Sequence, residues 1–276
     1  MEQVLKTMLE NVRAKSPLVH NITNYVTVND VANVLLAAGG SPIMSDDADD
    51  VEDITSICGG LNINIGTLNK NTIPSMFRAG KKANALGHIV LLDPVGAGAS
   101  RLRTDTANQL LQEVRFDAVR GNISEIKTLC TGSGSTKGVD ADAVDAVTEA
   151  NLDDGVALVK AFAKQTGCII AVTGAIDLVS DGERCWCIRN GRAEMSRITG
   201  TGCQLSALMT AFLVANPDRK LDAAAAAVCM MGLAGEIGWA NMQPGDGNST
   251  YRNRIIDAIF NMTGDALEEG AKYELR

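Results

Sequence analysis

Aromatic residues are scarce in this 276-residue chain: two Trp, three Tyr and five Phe. A core cannot then rest on ring stacking. It has to be assembled from Ala, Val, Ile, Leu and Met, as in parallel sheets covered by helices. Histidine is scarcer still, with only His20 and His88, which argues against a structural zinc site. No dense Lys/Arg run occurs and the formal net charge is -8, so nucleic acid is not an expected partner. An anionic ligand would have to be held by local groups rather than by the overall field. No long uninterrupted apolar run is present either. Ala223 to Ala234, flanked by Asp222 and Glu236, is too short to span a bilayer and reads as a buried helix. The opening MEQVLKTMLENVRAKS is amphipathic and charged, unlike a signal peptide.

The seven cysteines are odd in number and form no framework. Cys58, Cys130, Cys168 and Cys229 lie in apolar runs and read as small core residues. Cys185-Trp186-Cys187 has no second Cys or His cluster to complete a metal site. A redox role for that pair is set aside on the ground that strand neighbours point to alternate faces. The cysteine usage fits a reducing, cytoplasmic compartment.

The hydrophobic pattern alternates between helix and strand. Helices are predicted over 2–14, in "YVTVNDVANVLLAAGG", in "DDVEDITSIC", from Thr72 to Leu86, in "TDTANQLLQEV" with a Thr or Asp cap, in "ISEIKTLC" and in "DDGVALVKAFAKQTG". Strands are predicted in "SPIM", "GLNINIG", "HIVLLDPVG", "FDAVRGN" and "CIIAVTG". "DLVSDGERCWCIRNG" reads as a hairpin turning at Asp181-Gly182, and 132–151 as an irregular excursion. After a helix ending at Ala215, two more helices follow the stop at Asn216-Pro217. Such alternation predicts an α/β domain over 1–276 with a mostly parallel sheet covered on both faces. Ligands then belong at the carboxyl ends of the strands, at turns 43–47, 93–99, 120–125 and 173–175, with 199–203 nearby.

Four stretches can carry chemistry there. Thr199-Gly200-Thr201-Gly202-Cys203 bends tightly into a helix start. The amides of Gly200, Thr201 and Gly202 would form an anion hole, and the helix field would lower the pKa of the Cys203 thiol. Cys203 then reads as a nucleophile, a general base or an orienting group, against the blander reading of a buried cysteine after a glycine turn. In "VRGNISEI", Asn122 and Glu125 share one face of a helix start. They suit Mg²⁺ held largely through waters, or equally an ordinary capping box. Asp93 in "LLDPVGAGA" stands at a strand end, as a carboxylate near metal or phosphate or as a plain Asp-Pro turn. Thr173 in "AVTGAID" offers a hydroxyl for a phosphate. "GSGSTKG" lacks the spacing of a phosphate loop, and "SDDADDVED" lacks that of a calcium loop. His20 reads as a strand-end histidine bonded to backbone.

Taken together, "SPLVHNITNYV", "GGSPIM", "NIGTLNK", "LLDPVGAGASRLRT", "VRGNISEI", "STKGVDA", "AVTGAIDLVSDG" and "ITGTGCQLSAL" resemble the hydroxyethylthiazole kinase family of the ribokinase-like superfamily, over almost the whole chain. The resemblance implies a ribokinase-like fold. It implies ATP-dependent, Mg²⁺-assisted phosphorylation of the primary alcohol of 4-methyl-5-(2-hydroxyethyl)thiazole, a salvage step towards thiamine. By the same carry-over Arg120 and Thr173 contact ATP, and the backbone at Met44 and Gly200 contacts the thiazole. Asn122 and Glu125 match an N-x-x-E metal motif, with Asp93 acting through water. Cys203 stands where related sugar kinases carry an Asp base. A homotrimer with active sites at subunit interfaces is implied too. The segment "QPGDGNSTY" (243–251) departs from the family's Gly-Pro-Gly-(Ser/Thr)-(Phe/Tyr) pattern, and the acidic run 46–53 is heavier than the family's. The rivals are another ribokinase-like kinase acting on a hydroxymethylpyrimidine or a sugar, and a nucleotide-binding regulator without turnover.

Overall fold

The computed structural model describes residues 3–131, 136–137, 140–141 and 146–276. Apolar residues spaced for a helix drive α1 (Val4–Lys15), which buries Leu5, Met8, Leu9 and Val12 along one stripe. The chain continues through β1 (Leu18–Ile22), α2 (Val28–Ala38), β2 (Ser41–Met44), α3 (Val51–Ile57), β3 (Gly60–Asn64) and α4 (Thr72–Leu86). Then come β4 (Ile89–Asp93), α5 (Arg101–Glu113), β5 (Ala118–Asn122) and α6 (Ile123–Thr131). Two short strands, β6 (Thr136–Lys137) and β7 (Asp140–Ala141), pair with each other apart from the main sheet. The remainder is α7 (Leu152–Thr166), β8 (Ile169–Thr173), β9 (Asp177–Ser180), β10 (Cys185–Ile188), α8 (Thr201–Ala215), α9 (Lys220–Ala240), α10 (Asn248–Asn261), α11 (Gly264–Gly270) and β11 (Tyr273–Leu275).

Nine strands form one sheet in the order β11-β10-β9-β8-β5-β4-β3-β1-β2. From β8 to β2 every pairing is parallel, and β9, β10 and β11 add antiparallel pairings at one end. Period-two alternation separates two cores. Ile89, Leu91, Ile169 and Ala171 face the layer of α1, α2, α8, α9, α10 and α11. Val90, Leu92, Ile170 and Val172 face the layer of α3 to α7. The expectation of a mostly parallel sheet covered on both faces therefore holds.

Several local expectations are corrected. Helix α5 starts at Arg101 rather than in the Thr-Asp-Thr run, because the Ser100 hydroxyl accepts from the Arg103 N–H at 3.3 Å and caps it. Three helices and an edge strand, not two helices, follow α8. The twelve-residue apolar run is the middle of α9, and the helix from Pro217 to Ala240 is long and apolar enough to cross a membrane. It is buried on nearly all sides instead: Ala223 to Ala227 have no exposed surface, as befits a core helix apolar all round. "GSGSTKG" lies largely outside the described residues.

The chain moves from β1 outward to β2, then crosses to the other side of β1 to form β3 and proceeds through β4, β5 and β8. The direction of winding thus reverses between β1 and β3. A crevice at the carboxyl ends of these two strands is where such sheets accept ligands.

Candidate active site

The carboxyl ends of the strands gather the sequence-predicted residues on one rim. Met44 ends β2, Asp93 ends β4, Arg120 and Asn122 lie at the end of β5, and Thr173 ends β8. Helix α8 enters from Gly200, whose φ of 87° is left-handed and suits glycine. The first amides of α8 have no partner one turn earlier in the helix, so the α8 start is polarised towards the rim.

Asp93 is the hub. Its Oδ2 accepts from Asn64 Nδ2 at 2.7 Å and from the Ser206 hydroxyl at 2.8 Å, and faces Arg120 Nη1 at 3.6 Å. Its Oδ1 is buried without a partner among the described residues. Burial pushes the Asp93 carboxyl up, against the lowering effects of Arg120, Ser206 and Asn64. Arg120 also donates from Nη2 to the Thr173 hydroxyl at 2.6 Å. It lies against the start of α8, where a side chain on Gly202 would collide with its guanidinium.

Asn122 and Glu125 form a reciprocal capping box at the start of α6. The Asn122 N–H donates to Glu125 Oε2 at 2.7 Å, and the Glu125 N–H donates to Asn122 Oδ1 at 2.9 Å. Glu125 Oε1 accepts from the Gly96 N–H at 2.8 Å, which ties the β4 turn to α6. Burial, then the charge of Asp93, push this carboxyl up to about 7. The ordinary capping reading of the pair is therefore realised, and it leaves two buried carboxylates close enough to repel. Among the described residues no cluster of three His, Cys, Asp or Glu side chains gathers to hold a metal.

Cys203 lies within the first turn of α8 and is 8% exposed. It packs with Val19, Val31, Leu35, Ala207 and Ala211, and Met44 and Val95 pack against this group. Its sulfur accepts from Asn24 Nδ2 at 3.1 Å. The expected lowering of its pKa is not what its surroundings produce. Burial first, and Asp93 second, push the thiol up, against smaller lowering effects of Arg120 and Asn24.

Sequence reasoning missed Asn24, Asn64, Thr27 and Ser206. The available signal was polar residues inside a strand expected to be covered on both faces, such as Asn62 and Asn64 in "NINIG". His20 lies in the middle of β1 rather than at a strand end; it is bonded to backbone as expected, through Nε2 to the Ser45 carbonyl, and also through Nδ1 to the Thr55 hydroxyl, both at 2.9 Å. The run 45–53 forms a loop and the acidic first turn of α3. Cys185 and Cys187 do not alternate, because they are two residues apart and both face the α3–α7 layer. What weakens a redox role for them is burial, since neither has exposed surface.

The sequence model of the Hydroxyethylthiazole kinase family matches residues 9–265. A hydroxyethylthiazole kinase of Clostridium acetobutylicum is 58% identical over 98% of this chain and 99% of its own length. One from Ruminiclostridium cellulolyticum is 48% identical over 96% of this chain and 95% of its own. The solved hydroxyethylthiazole kinase of Pyrococcus horikoshii OT3 superposes with a TM-score of 0.88 at 32% identity, each chain being covered in full. Pyridoxal kinase of Staphylococcus aureus, solved with AMP-PCP and pyridoxal, shares the fold at a TM-score of 0.59 and 15% identity, over 94% of this chain and 98% of its own.

Proposed function

Because this chain belongs to the hydroxyethylthiazole kinase family, we infer that it transfers the γ-phosphoryl group of ATP to the primary hydroxyl of 4-methyl-5-(2-hydroxyethyl)thiazole, in thiamine salvage. The observation that carries this reading is the meeting of Cys203, Asp93, Arg120 and Thr173 at the start of α8 on the carboxyl rim. We propose a single kinase domain over 1–276, acting in the cytoplasm, with the following roles.

The amides of Gly200, Thr201 and Gly202 face the transferring phosphoryl group, and Arg120 and Thr173 hold ATP oxygens. Arg120 already bonds Thr173 and lies beside the α8 start, so both act from one place. The thiazole rests against Met44 and the backbone of Gly200. The Met44 side chain packs against the cluster that holds Cys203, which supports that placement.

Mg²⁺ would be held through waters by Asp93 and Glu125. The unpartnered Asp93 Oδ1 and the mutual repulsion of the two carboxylates fit a divalent cation. Asn122, whose Oδ1 is engaged by the Glu125 N–H, supports Glu125. Mg²⁺ would neutralise charge on the ATP phosphates. The alcohol oxygen forms a bond to the γ-phosphorus while the bridging oxygen leaves with ADP, and the alcohol proton passes late to a phosphoryl oxygen and from there to water. Such transfer is loose and needs positioning more than prior deprotonation. A thiol pushed up by burial therefore serves Cys203 best as the group that orients the hydroxyl.

We propose a homotrimer that shares its sites between subunits. Tyr25 and Val26, strongly exposed beside the buried Asn24, leave apolar surface at the rim for a neighbour to cover. A coupled ADP-release assay with Mg²⁺ and ATP tests the substrate, offering hydroxyethylthiazole beside hydroxymethylpyrimidine and ribose. Thiazole-dependent release is expected. Turnover only with another alcohol sinks the thiazole assignment, and ATP binding without turnover favours a regulator.

A further inference from the structure

Cys203 is held by an amide chain whose polarity is fixed at a backbone donor. The Gly66 N–H can only donate, and it donates to one side-chain atom of Asn64 at 2.9 Å, so that atom is Oδ1. The other atom, Nδ2, must then be the donor to Asp93. The atom of Asn24 that faces Asn64 Oδ1 at 3.1 Å must likewise be a donor, hence Nδ2. That same Nδ2 faces Cys203 Sγ at 3.1 Å. Asn24 Oδ1 accepts from the Thr27 hydroxyl at 3.1 Å, which secures the other side of the amide. Asn24 itself is 4% exposed and Asn64 is 1% exposed. The two asparagines follow and end β1 and β3, so they bridge the crevice where the winding of the sheet reverses.

We propose that Asn24 is the positioning residue of Cys203: its side-chain N–H fixes the sulfur as an acceptor and turns the S–H towards the incoming alcohol. A buried thiol on an otherwise apolar helix face has several rotamers of similar energy. One short N–H···S contact selects among them. Thr27 also stands beside the sulfur, but its hydroxyl proton is given to Asn24 Oδ1, so the side-chain N–H that the sulfur accepts comes from Asn24. The thiol proton and the remaining sulfur lone pair point to the rim, where the alcohol hydroxyl must sit. Asn64 carries the same ordering to Asp93, so one amide chain aligns the sulfur and the carboxylate together. This role rests on the kinase reading above.

A double-mutant cycle tests it, with Asn24→Leu, Cys203→Ala and both together, assayed with ATP and hydroxyethylthiazole. Leucine keeps the branching and removes the donor. Asn24→Leu is expected to lower kcat about tenfold, one hydrogen bond's worth, with KM for the alcohol changed less than about twofold. In the Cys203→Ala background the same substitution is expected to cost less than about twofold. An equal loss in both backgrounds would mean Asn24 acts through packing and overturns the proposal. Asn24→Asp, which keeps the shape and the acceptor for Thr27 but has no N–H, covers the case where leucine fails to fold.

A second readout does not need turnover. Alkylation of Cys203 by iodoacetamide, followed by peptide mass spectrometry at pH 8, is expected to slow at least about threefold in Asn24→Leu relative to the other six cysteines. An unchanged rate overturns the proposal. Absence of ADP release by the wild type with any alcohol, beside the slowed alkylation in Asn24→Leu, fails the kinase reading alone.

Discussion

The guanidinium of Arg120 occupies the space that any side chain on Gly202 would need. Position 202 is therefore glycine because of a neighbour on β5, 82 residues earlier in the chain, and not because of its own backbone angles. Gly202→Ala should push Arg120 away from the α8 start and break its bond to Thr173. The loss of one charge-assisted bond, about 1.5–3 kcal/mol, is expected to raise KM for ATP about tenfold or more. The KM for the alcohol should move little. Steady-state kinetics with each substrate varied in turn checks this, and an unchanged KM for ATP would separate Arg120 from the nucleotide.

Gly200 is glycine for a different reason. Its φ is 87°, and an added Cβ would collide with the methyl of Thr27. Gly200→Ala should cost about 1–2 kcal/mol for the left-handed backbone and a further amount for the collision. Thr27→Ser removes that methyl and keeps the hydroxyl that bonds Asn24. Adding it to Gly200→Ala should recover the methyl's part of the collision and leave the backbone part, together with the 2.9 Å approach to the Cβ of residue 27. Urea unfolding of the single and double variants separates the two, and equal stabilities would mean the Thr27 methyl yields without cost.

These two glycines mark how far the sequence was legible. Strands and helices could be read from apolar spacing, because burial on one face leaves a period of two or 3.6 in the residues themselves. The rim could be read from polar and glycine turns at strand ends, including Asp93, Arg120, Thr173 and Gly200 to Cys203. The amide chain of Asn24 and Asn64 could not, because a polar residue in a covered strand signals burial but not which partner it meets. Only the reversal between β1 and β3 brings residues 40 positions apart into contact. The pKa of Cys203 was misjudged for a similar reason. The helix start is local in sequence, but the burial by α2 and the charge of Asp93 are not.

Glu125 gives a pH dependence of known sign. Its carboxyl is raised to about 7 in the folded chain from an ordinary value of 4.5. Between these values the folded state keeps a proton that the unfolded state has lost, so stability falls as pH rises through the window. The full span is about 3 kcal/mol at most. Glu125→Gln has no such proton to lose, so the stability of wild type relative to this variant should decline from pH 4.5 to pH 7. Added Mg²⁺ should flatten that decline if Glu125 faces the cation. Denaturant unfolding across this range checks both statements, and parallel curves would mean that Glu125 titrates normally.

Substitutions at Cys203 separate an orienting sulfur from a base. General-base catalysis contributes about 10²- to 10⁴-fold, so a true base predicts a loss of that size in Cys203→Ala. An orienting thiol predicts less than about 10²-fold, with Cys203→Ser recovering most of it because a hydroxyl can still accept from Asn24. Cys203→Asp is the sharper test. The first turn of α8 favours a carboxylate and Asn24 can donate to it, yet Asp93 already stands near with its own pKa raised. If the sulfur were a base, the stronger acceptor should keep or raise kcat. The raised thiol pKa and the crowding by Asp93 lead us to expect a fall in kcat for Cys203→Asp beside near-normal Cys203→Ser, and the reverse order would establish Cys203 as the base.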